Sequence, residues 1–166
     1  MEEAQTLEEK MVGLIPMLKK PKSFGRWDAY AVIVTNQRTI FAQLTSKMLK
    51  DAAMEAQRKG KEEGKGFFSR WAEQIKATAS YSDRYWDIPT EEVLNENPGN
   101  FSISNQDIKL FEIKRKRRFG SDQDAEQTIT EVKINSAARK ETFVLDGYSH
   151  NIVNMLKGVF GDRLKT

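Results

Sequence analysis

Few side chains in this sequence are of the types that carry acid–base or nucleophilic chemistry. His150 is the only histidine among the 166 residues, and there is no cysteine. Asp146, Ser149 and His150 lie close together in the sequence, but a hydrolytic triad also needs an oxyanion hole and a nucleophile on a strained turn. Ser149 followed by His150 is better interpreted as a helix cap and its exposed neighbour. We therefore expect no enzymatic activity.

The sequence gives equally weak indications of a metal-binding site and of a phosphate-binding loop. The carboxylates of Asp83, Asp87, Glu91 and Glu92 lack the alternating Asp/Asn pattern and the glycine of a calcium-binding loop. The glycine-rich stretch 58–66 lacks the spacing of a phosphate-binding loop and ends in glycine where that loop has Ser or Thr. We interpret these features as acids of a helix start and of loops, and as a solvated link. We expect neither a metal nor a cofactor.

A run of five consecutive cations, residues 114–118, is the strongest candidate for a binding site. The run ends a long predicted strand, in which side chains alternate between two faces. Lys114, Lys116 and Arg118 would share one face and form the candidate ligand-binding set, and the two arginines between them would share the other. Two interpretations stay open: a solvated strand end whose charge protects a sheet edge, or a surface that binds an anionic partner.

The other elements are arranged around residues 29–44. Two runs of β-branched, aromatic and apolar residues flank Thr35-Asn36-Gln37-Arg38, a pattern that predicts a β-hairpin. Before it we predict a short helix at residues 4–10 and then a strand, which gives an antiparallel meander of three strands. Further strands are predicted at 81–88, 101–103, 108–119, 128–134 and 141–145. The aromatic residues of the first of these are suited to core packing or to stacking on a ligand.

Residues 46–79 interrupt the strands with helical spacing. Apolar residues recur at i, i+3, i+4 and i+7 in 49–56 and again in 68–75, which predicts two amphipathic helices joined by a link at 60–66. A third, short helix is predicted to begin with Thr90 as its N-cap.

The chain is predicted to close with one more helix. Ser149 is suited to cap it and Gly161 to end it. Its apolar face, expected to pack on the sheets, consists of Ile152, Met155, Leu156 and Val159.

This order of elements resembles the pleckstrin-homology-like fold, and in particular its prokaryotic members. The resemblance rests on an "apolar-Thr-x-x-Arg-apolar" turn, here residues 34–40, and on "Ile-Pro" followed by a short acidic turn, here residues 88–93. It spans about residues 11–160 and implies an α+β, mainly antiparallel fold, a partly open barrel or sandwich with a C-terminal helix. The length of 166 residues favours one domain over residues 1–166. The helical pair at 46–79 is absent from compact members and would be an insertion.

The resemblance also implies a non-catalytic binding or scaffold module that recruits a protein or peptide. The alternative is weak attachment to anionic lipid head groups through Lys114, Lys116 and Arg118, together with Lys19, Lys20 and Lys22. A net charge of +3 is low for a nucleic-acid-binding protein, so we expect no nucleic acid partner. The acidic start and the lack of an apolar run of about 20 residues favour a soluble, cytoplasmic chain. The partner and the oligomeric state stay open.

Overall fold

The structure is a computed structural model that describes residues 8–62, 81–119, 126–145 and 149–166. Within these ranges the chain forms an open sheet of eight strands in the order β4-β3-β2-β1-β7-β6-β5-β8. Every neighbouring pair is antiparallel except β5 and β8, which run parallel. The strands are β1 (Met11–Pro21), β2 (Trp27–Thr35), β3 (Arg38–Leu44), β4 (Phe101–Ser104), β5 (Ile108–Phe119), β6 (Glu126–Ser136), β7 (Lys140–Leu145) and β8 (Leu164–Lys165). The helices are α1 (Ser46–Glu62), α2 (Thr90–Glu96) and α3 (His150–Phe160).

The predicted hairpin and meander are confirmed. β2 pairs with β1 on one side and with β3 on the other. The turn between β2 and β3 is held by the Thr35 hydroxyl, which accepts hydrogen bonds from the backbone N–H groups of Gln37 and Arg38 at 3.1 and 2.9 Å. Both faces of this hairpin are buried, which is why its two strands read as nearly continuous apolar runs.

On the inner face, the hairpin packs against β5, β6, β7 and the closing helix. Phe41 stacks between Phe101 and Phe143, with ring centroids 4.7 and 5.6 Å away. Ser149 caps α3 by accepting a hydrogen bond from the Ile152 backbone N–H, and α3 ends at Gly161, where φ is +56°. The predicted apolar face of α3 is confirmed, since Leu156 is fully buried and Ile152, Met155 and Val159 pack on this core.

On the outer face, a second apolar layer covers the same hairpin. Its strand residues are Ala29, Ala31, Ile33, Ile40, Ala42 and Leu44. Tyr85 and Val93 are buried against them, and Met48 and Leu49 of α1 pack on the same layer. The first predicted helix of the 46–79 segment is therefore confirmed, and it helps to cover the hairpin. The second, at 68–75, lies outside the described residues.

Several predicted elements and element boundaries are wrong. Residues 81–88 do not form a strand, because Tyr81–Trp86 is a 3₁₀ turn that inserts Tyr85 into the outer layer. Residues 60–62 of the predicted link continue α1. Of the predicted N-terminal helix, residues 8–10 are not helical, and the backbone of Lys10 is hydrogen-bonded to Asn36. The N-cap of α2 is Pro89 rather than Thr90. The short strand β8 was not predicted from the sequence.

We expect Leu156→Ala to lower the free energy of unfolding by about 2–5 kcal/mol, because it leaves a cavity in a fully buried site. Urea denaturation followed by circular dichroism measures this change. Lys157→Ala, at the exposed neighbouring position, is the control and should change stability by less than about 0.5 kcal/mol. Equal effects of the two substitutions would show that α3 is not part of the core.

Candidate functional site

The predicted basic run lies on a strand whose outer side is largely open. β5 pairs with β6 along its length, from Ile108 to Phe119. On its other side β8 pairs only with Phe111 and Glu112. From residue 113 to residue 119, no strand in the described part of the chain flanks that side of β5. An open strand of this kind carries backbone N–H and C=O groups that are available to another chain.

The far part of β5 extends past the pairs that the described residues of β7 form. Within the described ranges, β7 pairs with β6 from Thr130 to Asn135, and β6 residues 126–129 pair with β5. On the inner face, Phe111 and Ile113 are buried, whereas Arg115 and Arg117 at the next two positions of that face are exposed. In the part of the chain that the structure describes, β5 and β6 therefore stay paired beyond the buried residues of β5, as a two-stranded ribbon that carries the basic run.

Lys114 and Lys116 share the outer face of β5, as predicted, and both are exposed. Each is close to a carboxylate: Lys114 Nζ lies 3.5 Å from Glu112, and Lys116 Nζ lies 3.0 Å from Glu131. Glu131 also contacts Lys133 at 3.4 Å. The hydrogen bond from Lys116 holds the pKa of Glu131 below its usual value. The positive charge of this face is therefore partly compensated.

The backbone of Arg118, the third predicted ligand-binding residue, lies in β5 opposite Gln127. The structure does not describe the side chain of Arg118. A shallow depression of about 360 Å³ is lined by Ile113, Lys114, Arg115 and Thr166, next to the end of β8. The open part of the β5 edge begins at this depression.

The two sequence motifs behind the family resemblance meet at a different place, around Arg38. Its guanidinium donates to both carboxylate oxygens of Glu9, at 3.0 and 3.1 Å, and to Glu91 at 2.7 Å. The hydroxyls of Thr35 and Thr90 donate to the same Glu9 carboxylate at 2.9 and 2.8 Å. These bonds join the residues before β1, the β2–β3 turn and the start of α2.

Each charged side chain in this cluster has an ion-pair partner, which favours a structural role. Burial raises the pKa of Glu9, but hydrogen bonds from Thr90, Arg38 and Thr35 outweigh it, so the pKa lies below its usual value. Thr90 is thus used to hold Glu9 and not to cap α2, which is the reason for the failed cap prediction. Glu9 and Arg38 are 29 positions apart, and nothing in the local sequence indicates their pairing.

Where the structure describes them, the other candidate residues do not assemble into a chemical site. Ser149 caps α3, His150 is exposed, and Asp146 lies outside the described residues. Glu91 binds Arg38. Among the residues that the structure describes, no group of three or more His, Cys, Asp or Glu side chains is placed to hold a metal ion.

Of the predicted aromatic group, Tyr85 is buried and its hydroxyl donates to Glu96 at 2.8 Å. Trp86 is half-exposed at the mouth of a pocket of about 310 Å³ that also includes Met11, Ile88 and Val93. Tyr85 is therefore a packing residue, and Trp86 borders an apolar depression.

Comparisons with protein-family models, with curated proteins and with solved structures find no match. None of the helices in the described ranges is both long enough and apolar enough to cross a bilayer.

The Arg38 cluster, which consists of Arg38, Glu9, Glu91, Thr35 and Thr90, predicts that the free energy of unfolding depends on pH. A carboxyl whose pKa is lowered by folding stabilises the folded state above its unfolded pKa, and this contribution is lost as the pH falls through the folded pKa. We expect Glu9→Gln to lower the free energy of unfolding by about 1–3 kcal/mol at neutral pH. The difference from wild type should shrink as the pH falls below about 4.5, the ordinary pKa of a glutamate, and should be lost once the pH has fallen through the lowered pKa of Glu9 in the folded state.

Urea denaturation at several pH values measures this difference. Glu8→Gln is the matched control, since Glu8 is exposed. A Glu9→Gln effect that is the same at neutral and at acidic pH would show that the charge of Glu9 is unimportant.

Proposed function

We propose that this chain is a non-catalytic binding module of pleckstrin-homology-like type. We further propose that it recruits a protein partner by adding an extended, acidic segment of that partner to the open edge of β5. The fold part is supported by the seven antiparallel strands β1–β7 and by the C-terminal helix whose Leu156 and Phe160 are buried in the inner core. The observation that carries the binding part is the open edge of β5 at residues 113–119, which bears the basic run.

A peptide that adds to a sheet edge gains affinity from main-chain hydrogen bonds and specificity from side chains at alternate positions. The β5 edge offers both components, because the depression at Ile113 leads into the run of exposed cations from Lys114 to Arg117. Cations on both faces of the strand favour acids at consecutive positions of the added segment.

The same charges disfavour association between two copies of this chain through β5. Pairing of two β5 edges would place the cations of one copy beside those of the other, and like charges on adjacent strands are destabilising. The edge is therefore suited to a partner of opposite charge rather than to self-association.

The test is fluorescence anisotropy with three labelled peptides of equal length. The first carries Glu at consecutive positions flanked by Val, the second carries Lys at those positions, and the third repeats the acidic sequence with N-methylated backbone amides on alternate residues. We expect the chain to bind only the first, because it alone has both the charge and the backbone donors of an added strand.

The double substitution Lys114→Glu and Lys116→Glu should weaken binding of the acidic peptide by about fourfold or more, because each reversal replaces an attraction of about 0.2–1 kcal/mol with a repulsion of similar size. Lys157→Glu, a charge reversal on the exposed side of α3, is the control and should leave the affinity within about twofold. Equal binding of the N-methylated peptide would reject strand addition, and equal binding of the basic peptide would reject the charge argument.

A further inference from the structure

An apolar pocket opens on the outer layer that covers the β2–β3 hairpin. It has a volume of about 310 Å³ and lies between Met11 of β1, Ile33 of β2 and residues 85–93. Trp86 lines this pocket and is 51% exposed. We call it the Trp86 pocket. Tryptophan is enriched among the residues that carry binding energy in interfaces, so a half-exposed indole beside an apolar pocket indicates a place where a partner can bind.

The polar groups that line the Trp86 pocket are already bonded within the fold. The Thr90 hydroxyl donates to Glu9 at 2.8 Å, and Glu9 also accepts from the Arg38 guanidinium at 3.0 Å. The Tyr85 hydroxyl donates to Glu96 at 2.8 Å. A polar group that entered the pocket would lose its bonds to water for little return, so the group that fits there is apolar.

The chain around the pocket is acidic, in contrast to the sequence as a whole. Residues 81–96 contain five acids and one cation, a net charge of −4, whereas the full sequence carries +3. The one cation of this segment, Arg84, is paired with Glu96 at 2.8 Å. Glu8 and Asp87 are exposed, and each is next in the sequence to a residue that lines the pocket. Exposed apolar surface and negative charge therefore occur together here.

We propose that the Trp86 pocket is the docking site for a basic segment of a partner protein, which inserts one bulky apolar side chain. That side chain packs against Trp86, and Lys or Arg residues on both sides of it face the acids around the pocket. A buried anchor of this kind supplies much of the energy of an interface, and complementary charge adds specificity and speeds association. The negative charge disfavours anionic lipid surfaces and nucleic acids at this site.

This inference concerns a different surface from the proposed β5 site and does not depend on it. The Trp86 pocket includes residues of β1 and β2, and β7 and β6 separate β1 from β5 in the sheet. The two sites also select opposite charges. The basic peptide that serves as a control at β5 carries only Val as an apolar residue, which offers much less area to bury than Phe, so we expect no binding of it here.

Fluorescence anisotropy with three labelled peptides and the full chain tests the proposal. The first peptide has a central Phe flanked by Lys residues, the second replaces Phe with Ser, and the third replaces each Lys with Glu. We expect binding of the first alone, and weaker binding as the ionic strength rises from about 0.01 M to about 0.15 M. Absence of binding by the first peptide at low salt would overturn the proposal, and so would equal binding of the second or the third.

Two variants locate the site. Trp86→Ala should weaken binding of the first peptide by about tenfold or more, and should leave the thermal midpoint nearly unchanged because the ring is half-exposed. The double charge reversal Glu8→Lys and Asp87→Lys should weaken binding by about fourfold or more and reduce its dependence on salt. Both of these acids are exposed, so this variant tests the site even if Trp86→Ala fails to fold.

Trp27→Ala is the matched control for the ring, since Trp27 is 48% exposed and begins β2. The matched control for charge is Asp51→Lys with Glu55→Lys, at exposed acids of α1. Both should bind the first peptide within about twofold of the wild type. Wild-type affinity in Trp86→Ala, or an equal loss in either control, would show that the Trp86 pocket is not the docking site.

The variant Lys114→Glu with Lys116→Glu separates the two proposed sites. It should keep its affinity for the Phe–Lys peptide, whereas its affinity for the acidic β5 peptide should fall. Trp86→Ala should show the reverse pattern. Loss of Phe–Lys peptide binding in the β5 variant would place that peptide on β5 and overturn this inference.

Discussion

The structure depends on one constraint: the β2–β3 hairpin is apolar on both faces and must be covered on both. The inner face is covered by β5, β6, β7 and α3, and the outer face by α1, α2 and the turn containing Tyr85. Burial of apolar area is the main favourable term in folding, at roughly 25 cal/mol per Å². Helix α1, which follows β3, therefore contributes to the stability of the fold and is not a surface appendage. Any function must use what remains exposed once these two layers are complete.

The Arg38 cluster fixes how the outer layer is placed. Arg38 lies at the start of β3, and its contacts reach Glu9 before β1 and Glu91 in the first turn of α2. Bidentate arginine–carboxylate pairs define orientation as well as energy. One side chain thus sets the position of α2 over the hairpin and of the chain entering β1. The "Thr-x-x-Arg" and "Ile-Pro" motifs act on the same carboxylate, which explains in structural terms why they occur in one sequence.

The elements that the sequence predicted correctly are those with strong local signals. The hairpin has two β-branched runs and a polar turn, and α3 has Ser149, Gly161 and a continuous apolar face. The errors arose where tertiary contacts override local preference. The aromatic residues at 81–86 favour a strand, but burial of Tyr85 in the outer layer and its bond to Glu96 stabilise a turn. The Trp86 pocket was not predictable either, since its lining comes from three parts of the sequence that are far apart.

The distribution of charge along the sequence bears on the role of the β5 edge. The run at 114–118 holds five of the 27 cations of the sequence, and without it 22 cations and 24 acids would give a net charge of −2. Proteins commonly protect a sheet edge by making it short, yet β5 is 12 residues long. Charge on a long, accessible edge prevents pairing with an identical edge but permits pairing with an acidic one. The length and charge of β5 are therefore compatible both with protection of the edge and with the acidic partner that we propose.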